Sequence, residues 1–304
     1  MDRRTLLAGA LGTAGVVITG CSPPSGLSSP KAEPARSSTP SPAPTTANPS
    51  PVITSARPRS HLSATAKPVS SREIIKRATV PVLCYHQLRN WRSGDSQYNR
   101  LNLICPPRYF RAHLDALAED GWTTISPARY LRHLTTGAAL PRKPVMLSFD
   151  DGSAGQAHEG LTQLAKRGMT GTFFVMTVVL GKRTWMSIRD IHRLADAGMT
   201  IGSHTWDHHA VSDLSGRAWK VQLEQSRETL RKASGQSVEH FAYPYGVTSA
   251  SAYPHLKKAG YKTAFQLEAK PLSTAAPLYT LRRSIAVSTW SGAKLIQHLK
   301  KHHP

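Results

Sequence analysis

The run Leu147-Ser148-Phe149-Asp150-Asp151-Gly152 ends on two adjacent carboxylates. Side by side they repel each other, and that repulsion requires a nearby cation or a shared proton. A solvent-facing Asp-Asp-Gly turn would look the same, so the pair alone does not decide. Farther along, Ile201-Gly202-Ser203-His204-Thr205-Trp206-Asp207-His208 sets two histidines four apart. One helical turn at that spacing would aim both imidazoles at a single ion. Two histidines and one carboxylate leave positions open for water and substrate, as a catalytic zinc site requires. A metallopeptidase is disfavoured, because this His-x-x-x-His lacks the adjacent Glu that would act as general base.

The two segments resemble the polysaccharide deacetylase family, also called the NodB-homology or carbohydrate esterase family 4 domain. The family's Thr/Ser-Phe-Asp-Asp motif is matched at Ser148–Asp151, and its pair of histidines at His204 and His208. Its third motif, Pro-Tyr or Pro-Phe followed by Gly, is matched by Tyr243-Pro244-Tyr245-Gly246. Pro81–His86, Gly171–Val175 and Ala197–His204 add to the likeness, which spans roughly residues 80–285 with the motifs in the family's order. The resemblance implies that Asp151, His204 and His208 hold a divalent metal, most often Zn²⁺. It implies that Asp150 is the general base and that the Tyr245 backbone N–H helps stabilise the oxyanion. His209 directly follows His208 and offers a shifted register for the second histidine ligand.

The chain departs from the family pattern at three places. Many members begin the third motif with an Arg that orients the base, and Ala242 stands there. The Phe-Ala-Tyr-Pro-Tyr-Gly form resembles the poly-N-acetylglucosamine deacetylase branch, where another side chain could take that role. Arg283 is the candidate, with Arg282 its competitor and an exposed basic strand end the plain alternative. The fourth motif, with its Asp and Trp, is not recognisable. The fifth, Leu-x-x-His, has a formal match at Leu295-Ile296-Gln297-His298, which makes His298 a candidate general acid. That run lies in a basic terminal helix, where a histidine is usually exposed, and His86 is a second pocket candidate. The implied activity is metal-dependent removal of N-acetyl groups from an N-acetylglucosamine polymer or peptidoglycan. The alternatives are an O-acetyl-xylan esterase and a wall-binding lipoprotein that no longer turns over.

Such a constellation needs a scaffold that brings distant segments together. Apolar strand-like runs at 80–85, 123–126, 145–150, 172–176, 200–204, 240–244 and 262–267 alternate with helical stretches. Ser187 can cap a helix over Ile188–Ala197, and Ser215 a longer one to Ser234 with Gly235 after it. This alternation predicts an α/β fold: a (β/α) barrel, distorted, of seven or eight strands. Barrel enzymes place their chemistry at the C-terminal ends of the strands. Tyr85-His86, Asp150-Asp151, His204 and Tyr243–Tyr245 all fall there.

The chain has 304 residues, 39% of them hydrophobic. Residues 80–304, the expected catalytic domain, carry 29 Lys/Arg against 15 Asp/Glu, a balance that favours anionic surroundings. Residues 22–79 read as a linker, and from Ser22 to Ser71 they are dominated by Pro, Ser and Thr. That stretch has too little apolar surface to offset its ordering entropy, which predicts disorder. Met1–Cys21 reads as a lipoprotein signal peptide: Arg3 and Arg4, an apolar run to Ile18, then a lipobox-like Ile18-Thr19-Gly20-Cys21. The Arg3-Arg4-Thr5-Leu6-Leu7 string also resembles a twin-arginine signal. The expectation is a bacterial protein anchored by lipidated Cys21 on the outer side of the cytoplasmic membrane, with no nucleic-acid partner. A tether of about 50 residues reaches roughly 40 Å. Cys84 and Cys105 would remain, either paired or as buried thiols.

Overall fold

In the computed structural model, residues 68–267 and 270–302 are described. The expected signal peptide, Cys21 and linker residues 22–67 lie outside the described residues. The expected linker extended to residue 79, and its end is corrected: Ser71–Arg77 form a helix, α1, capped by the Ser70 hydroxyl and burying Ile74. One buried isoleucine and a capping serine suffice to dock a short segment that composition alone marks as tail.

The chain then runs through β1 Val82–Tyr85, β2 Gln87–Leu88, α2 Gln97–Asn102, β3 Ile104–Cys105, α3 Pro107–Glu119, β4 Thr123–Thr124, α4 Pro127–Thr136 and β5 Pro144–Asp151. It continues with α5 Leu161–Lys166, β6 Thr172–Val175, α6 Ile188–Asp196, β7 Thr200–Ser203, α7 Ser226–Ser234, β8 His240–Ala242, α8 Ala252–Lys258 and β9 Thr263–Gln266. The last elements are β10 Leu281–Arg282, β11 Ser284–Ile285 and α9 Gly292–His302. Two π-helical segments, Gln156–Gly160 and Lys220–Gln225, lead directly into α5 and α7. No described helix is long and apolar enough to cross a membrane.

The strands pair in parallel in the order β10-β9-β8-β7-β6-β5-β1-β11, with β4 beside β5. The two ends of this path are consecutive in sequence. Leu281 and Arg282 pair with β9, Ser284 and Ile285 pair with β1, and Arg283 stands between them. One extended segment thus changes neighbours at Arg283, and the sheet is nearly closed as an eight-stranded barrel. This is the distorted (β/α) barrel that the alternation predicts.

Side chains alternate between two environments, as the pleat requires. Leu83, Tyr85, Leu147, Phe149, Phe173, Val175, Ile201 and Phe241 pack outward into the main helical core. Val82, Met146, Phe174, Ala242, Phe265 and Leu281 form an inner cluster. Ile74 of α1 and Tyr130 and Leu134 of α4 join that cluster and plug the end where the strands begin. Gly202 is required here: a Cβ at this position would collide with the Phe174 ring. Above the apolar layer, the inward positions turn polar, with Cys84, Ser148, Asp150, His204 and Arg283 all buried.

Local expectations are met where a cap defines them. Ser187 caps α6 with a full capping box to Asp190, and Gly235 ends α7 in the left-handed conformation. Ser215 opens only a turn, its carbonyl accepting from Ala218 N, before the π-helical segment begins.

Candidate active site

Asp150 points into the barrel and is 1% exposed. Arg283 grips it with two hydrogen bonds, Nη1 to Oδ1 at 2.6 Å and Nη2 to Oδ2 at 2.8 Å. The guanidinium also donates to Ser148 Oγ at 3.2 Å and lies 5.4 Å from the Phe174 ring centroid. Burial alone would push the Asp150 carboxyl up. The Arg283 charge outweighs that, with help from His204, and holds it well below the usual carboxylate range. Asp150 is therefore an ionised acceptor fixed in one orientation. The neighbouring Arg282 is exposed and touches none of this.

Asp151 follows in the left-handed region at φ 77°, which turns its carboxylate away from Asp150 toward the two histidines. Its Oδ1 lies 3.5 Å from both His204 Nε2 and His208 Nε2. The segment joining the histidines is not the helical turn that their spacing suggested. It is a tight turn with positive φ at Thr205 (67°) and His208 (68°). Four non-glycine residues in this strained region, Asp151, Thr205, His208 and Tyr245, gather at the site. His209 is exposed and leans on Asp207, so His208 is the residue that faces Asp151.

These groups suit a metal. One ligand atom from each of Asp151, His204 and His208 can be chosen so that all lie within 4.8 Å of one another. Asp151 Oδ1 is buried with no hydrogen-bond partner. His204 Nδ1 donates to Ala242 O at 2.8 Å, which leaves Nε2 free to coordinate. Burial, reinforced by His204, pushes His208 down to about 4, keeping it in the neutral form a metal needs. A second trio, Cys84, His86 and Asp150, is as tightly gathered. Both oxygens of that Asp150 face the Arg283 cation, which disfavours a dication there.

Two glutamines that the sequence reading passed over hold these turns. Gln156, fully buried in the first π-helical segment, donates to both His86 O and Asp150 O at 2.5 Å. Gln222, in the second, accepts from Trp206 N at 3.0 Å and donates to Asp207 Oδ1 at 2.8 Å. Ser226 adds a bond to Thr205 O at 2.9 Å. A wide helical turn rotates one extra residue toward the strand ends, so each glutamine reaches the loop above it.

Tyr245 stands at the rim, 52% exposed, with its ring 4.5 Å from that of His208. His298 is not brought to this cluster. Helix α9 descends along α3, and by Lys300 it has reached Asp120 before β4, at the opposite end of the strands. The His298 ring packs against Trp290 and His302. Besides His204 and His208, the histidine that the fold brings to the carboxylates is His86, gathered with Asp150 and Cys84. Cys84 and Cys105 are buried free thiols.

Residues 137–264 match the polysaccharide deacetylase family model. That stretch contains both the Asp150-Asp151 pair and the His204–His208 turn. It is 22% identical over 249 residues to the poly-beta-1,6-N-acetyl-D-glucosamine N-deacetylase of Staphylococcus epidermidis, covering 74% of this chain and 85% of that one. The structure of IcaB from Ammonifex degensii superposes with a TM-score of 0.60 at 25% identity, covering 74% and 97% of the two chains. Streptococcus pyogenes deacetylase PplD shares the fold, with a TM-score of 0.66 at 23% identity and 72% and 96% coverage. Ala242 stands where the resemblance led an arginine to be expected; Arg283 grips Asp150 in its place, and the Ala242 carbonyl accepts from His204 Nδ1.

Proposed function

We propose that the protein is a metal-dependent hydrolase that removes N-acetyl groups from an N-acetylglucosamine-containing polysaccharide or peptidoglycan at the bacterial envelope. The observation that carries this reading is the division of two adjacent carboxylates. Asp150 is locked ionised by Arg283, and Asp151 faces two histidines with an unpartnered oxygen. Asp151, His204 and His208 would hold the metal, and two imidazoles with one carboxylate are a donor set that suits Zn²⁺. When bound, a dication at this position supplies Lewis acidity toward the acetyl carbonyl and toward water.

The chain's own residues do the rest. Asp150 accepts the proton of the attacking water, and Arg283 holds its carboxylate so that no reorientation is needed at that moment. The Tyr245 backbone N–H is assigned to the oxyanion that develops on the acetyl carbon. His86 takes the role first considered for His298, donating a proton to the departing amine. The exposed faces of Trp206 and Tyr245 offer apolar platforms for pyranose rings. Anchoring by Cys21 belongs to the same proposal, and Cys21→Ala should move the protein from membrane to soluble fractions when the membranes are washed at about 0.5 M salt.

The deciding experiment is acetate release by the purified protein from N-acetylglucosamine oligomers, peptidoglycan and acetyl-xylan, before and after chelation. The expected result is release from the first two, lost on chelation and restored by zinc. Release that is indifferent to chelation, or confined to acetyl-xylan, overturns the reading.

A further inference from the structure

The end of the barrel opposite the active site is basic and cleft. A cleft of about 510 Å³ opens there, lined by Val80, Pro81, Trp122, Pro144 and the cations Lys143, Arg282 and Lys300. Lys143 and Lys300 converge on Asp120 at 2.9 and 2.7 Å, so that acid is already spent. Arg129 and Arg132 on α4, Arg282 on β10 and Lys301 on α9 are exposed. Among the described residues, none of these four is in an ion pair. The cations therefore face outward without internal neutralisation.

The route of the chain says what such a face would meet. Helix α1 packs with α4 beneath the barrel, so the described residues begin at this end. The sequence before residue 68 contains the lipobox-like Ile18–Cys21. The strand ends with Asp151, His204 and His208 open on the other side.

We propose that this basic end rests on the anionic phospholipid surface of the membrane and holds the catalytic mouth outward, toward the polymer. A Lys or Arg close to an anionic bilayer raises partitioning roughly five-fold, so a cluster of four acts as an orienting sole without any inserted segment. The proposal rests on the envelope reading above for its orientation, whereas vesicle binding is read without any catalysis.

The test uses the full chain carrying Cys21→Ala, so that no acyl chain contributes. It is mixed with vesicles of phosphatidylcholine with or without phosphatidylglycerol. Preferential sedimentation with the phosphatidylglycerol vesicles, lost at about 0.5 M salt, is expected. Arg129→Gln with Arg282→Gln should lower that partitioning roughly 20–30-fold, as should the independent pair Arg132→Gln with Lys301→Gln. Lys182→Gln with Arg183→Gln, in the loop after β6 at the catalytic end, should leave it unchanged. Acetate release from soluble oligosaccharide should be unaltered by the first two pairs, which separates failure here from failure of the catalytic reading. Equal losses from the Lys182/Arg183 pair overturn the proposal. So does a loss of binding to soluble poly(glycerol phosphate) with vesicle binding intact, which would assign the face to a wall polyanion.

Discussion

Asp150 and Asp151 share a peptide bond but not an environment, and their substitutions should fail differently. Asp150→Asn keeps the three ligand groups in place, so metal content should stay near one equivalent while the rate falls roughly 10²–10⁴-fold. Asp151→Asn should lose metal instead, with partial rescue by excess zinc, because an amide is a poorer ligand for a dication. Metal content by mass alongside acetate release separates the two, and an exchange of phenotypes would require exchanging the roles. The histidines give a second contrast. His86→Gln should slow the reaction strongly without releasing metal, whereas His298→Gln should leave the rate near normal. A severe defect in the His298 variant would return the proton donor to α9. The carboxylates and histidines could be read from sequence because polar residues at the end of an apolar strand are conspicuous. Arg283 was reachable only as the answer to a missing arginine, and its two-fold grip on Asp150 needed coordinates. Gln156 was not legible at all, since a glutamine within a helical run carries no periodic signal.

At the level of elements, the two π-helical segments act as brackets beneath the two loops that bear the chemistry. Gln222 holds three polar groups of the Thr205–His208 turn, one of whose bonds is long at 3.4 Å. Gln222→Met preserves the bulk and removes the polar contacts. Metal affinity should drop about 10–100-fold in this variant, the usual cost of losing an outer partner of a ligand. Titration of the stripped protein with zinc measures this, and unchanged affinity would reduce Gln222 to a packing residue. β1 and the strands from β4 to β9 are legible as apolar runs, whereas β2 and β3, two residues each, are not. Nor is the closing segment, because β10 and β11 are two residues each and neither shows a pattern. The His204–His208 spacing fits a helix, but Thr205 and His208 adopt positive φ, and spacing alone cannot distinguish the two. Serine caps were read correctly where hydroxyl and first turn adjoin, as at Ser187, and missed where a turn intervenes, as at Ser215.

Across the whole molecule, acid should loosen the barrel in a definable window. His240 is buried on β8 beside Thr263 Oγ1 at 2.8 Å, and burial pushes it down to about 4. The unfolded chain protonates this group near pH 6.5 and the native one only near 4. Between those values the unfolded state binds more protons, so stability falls as pH drops, by on the order of 3 kcal/mol for this group. Urea unfolding at both ends of the window measures the loss, and His240→Gln should flatten it. An unchanged slope in that variant would remove His240 from the account. The placement of Arg283 has a consequence in time as well as in space. Its partner Asp150 lies 133 residues earlier, so the carboxylate is made long before the guanidinium that neutralises it. Contacts of such separation form late, after costly loop closure. Until Leu281–Ile285 inserts between β9 and β1, the half-built barrel carries a buried anion with no counter-charge, which discourages premature closure. Acetate release during refolding should therefore appear only with the final phase, when the seam closes and Arg283 reaches Asp150 in the same step.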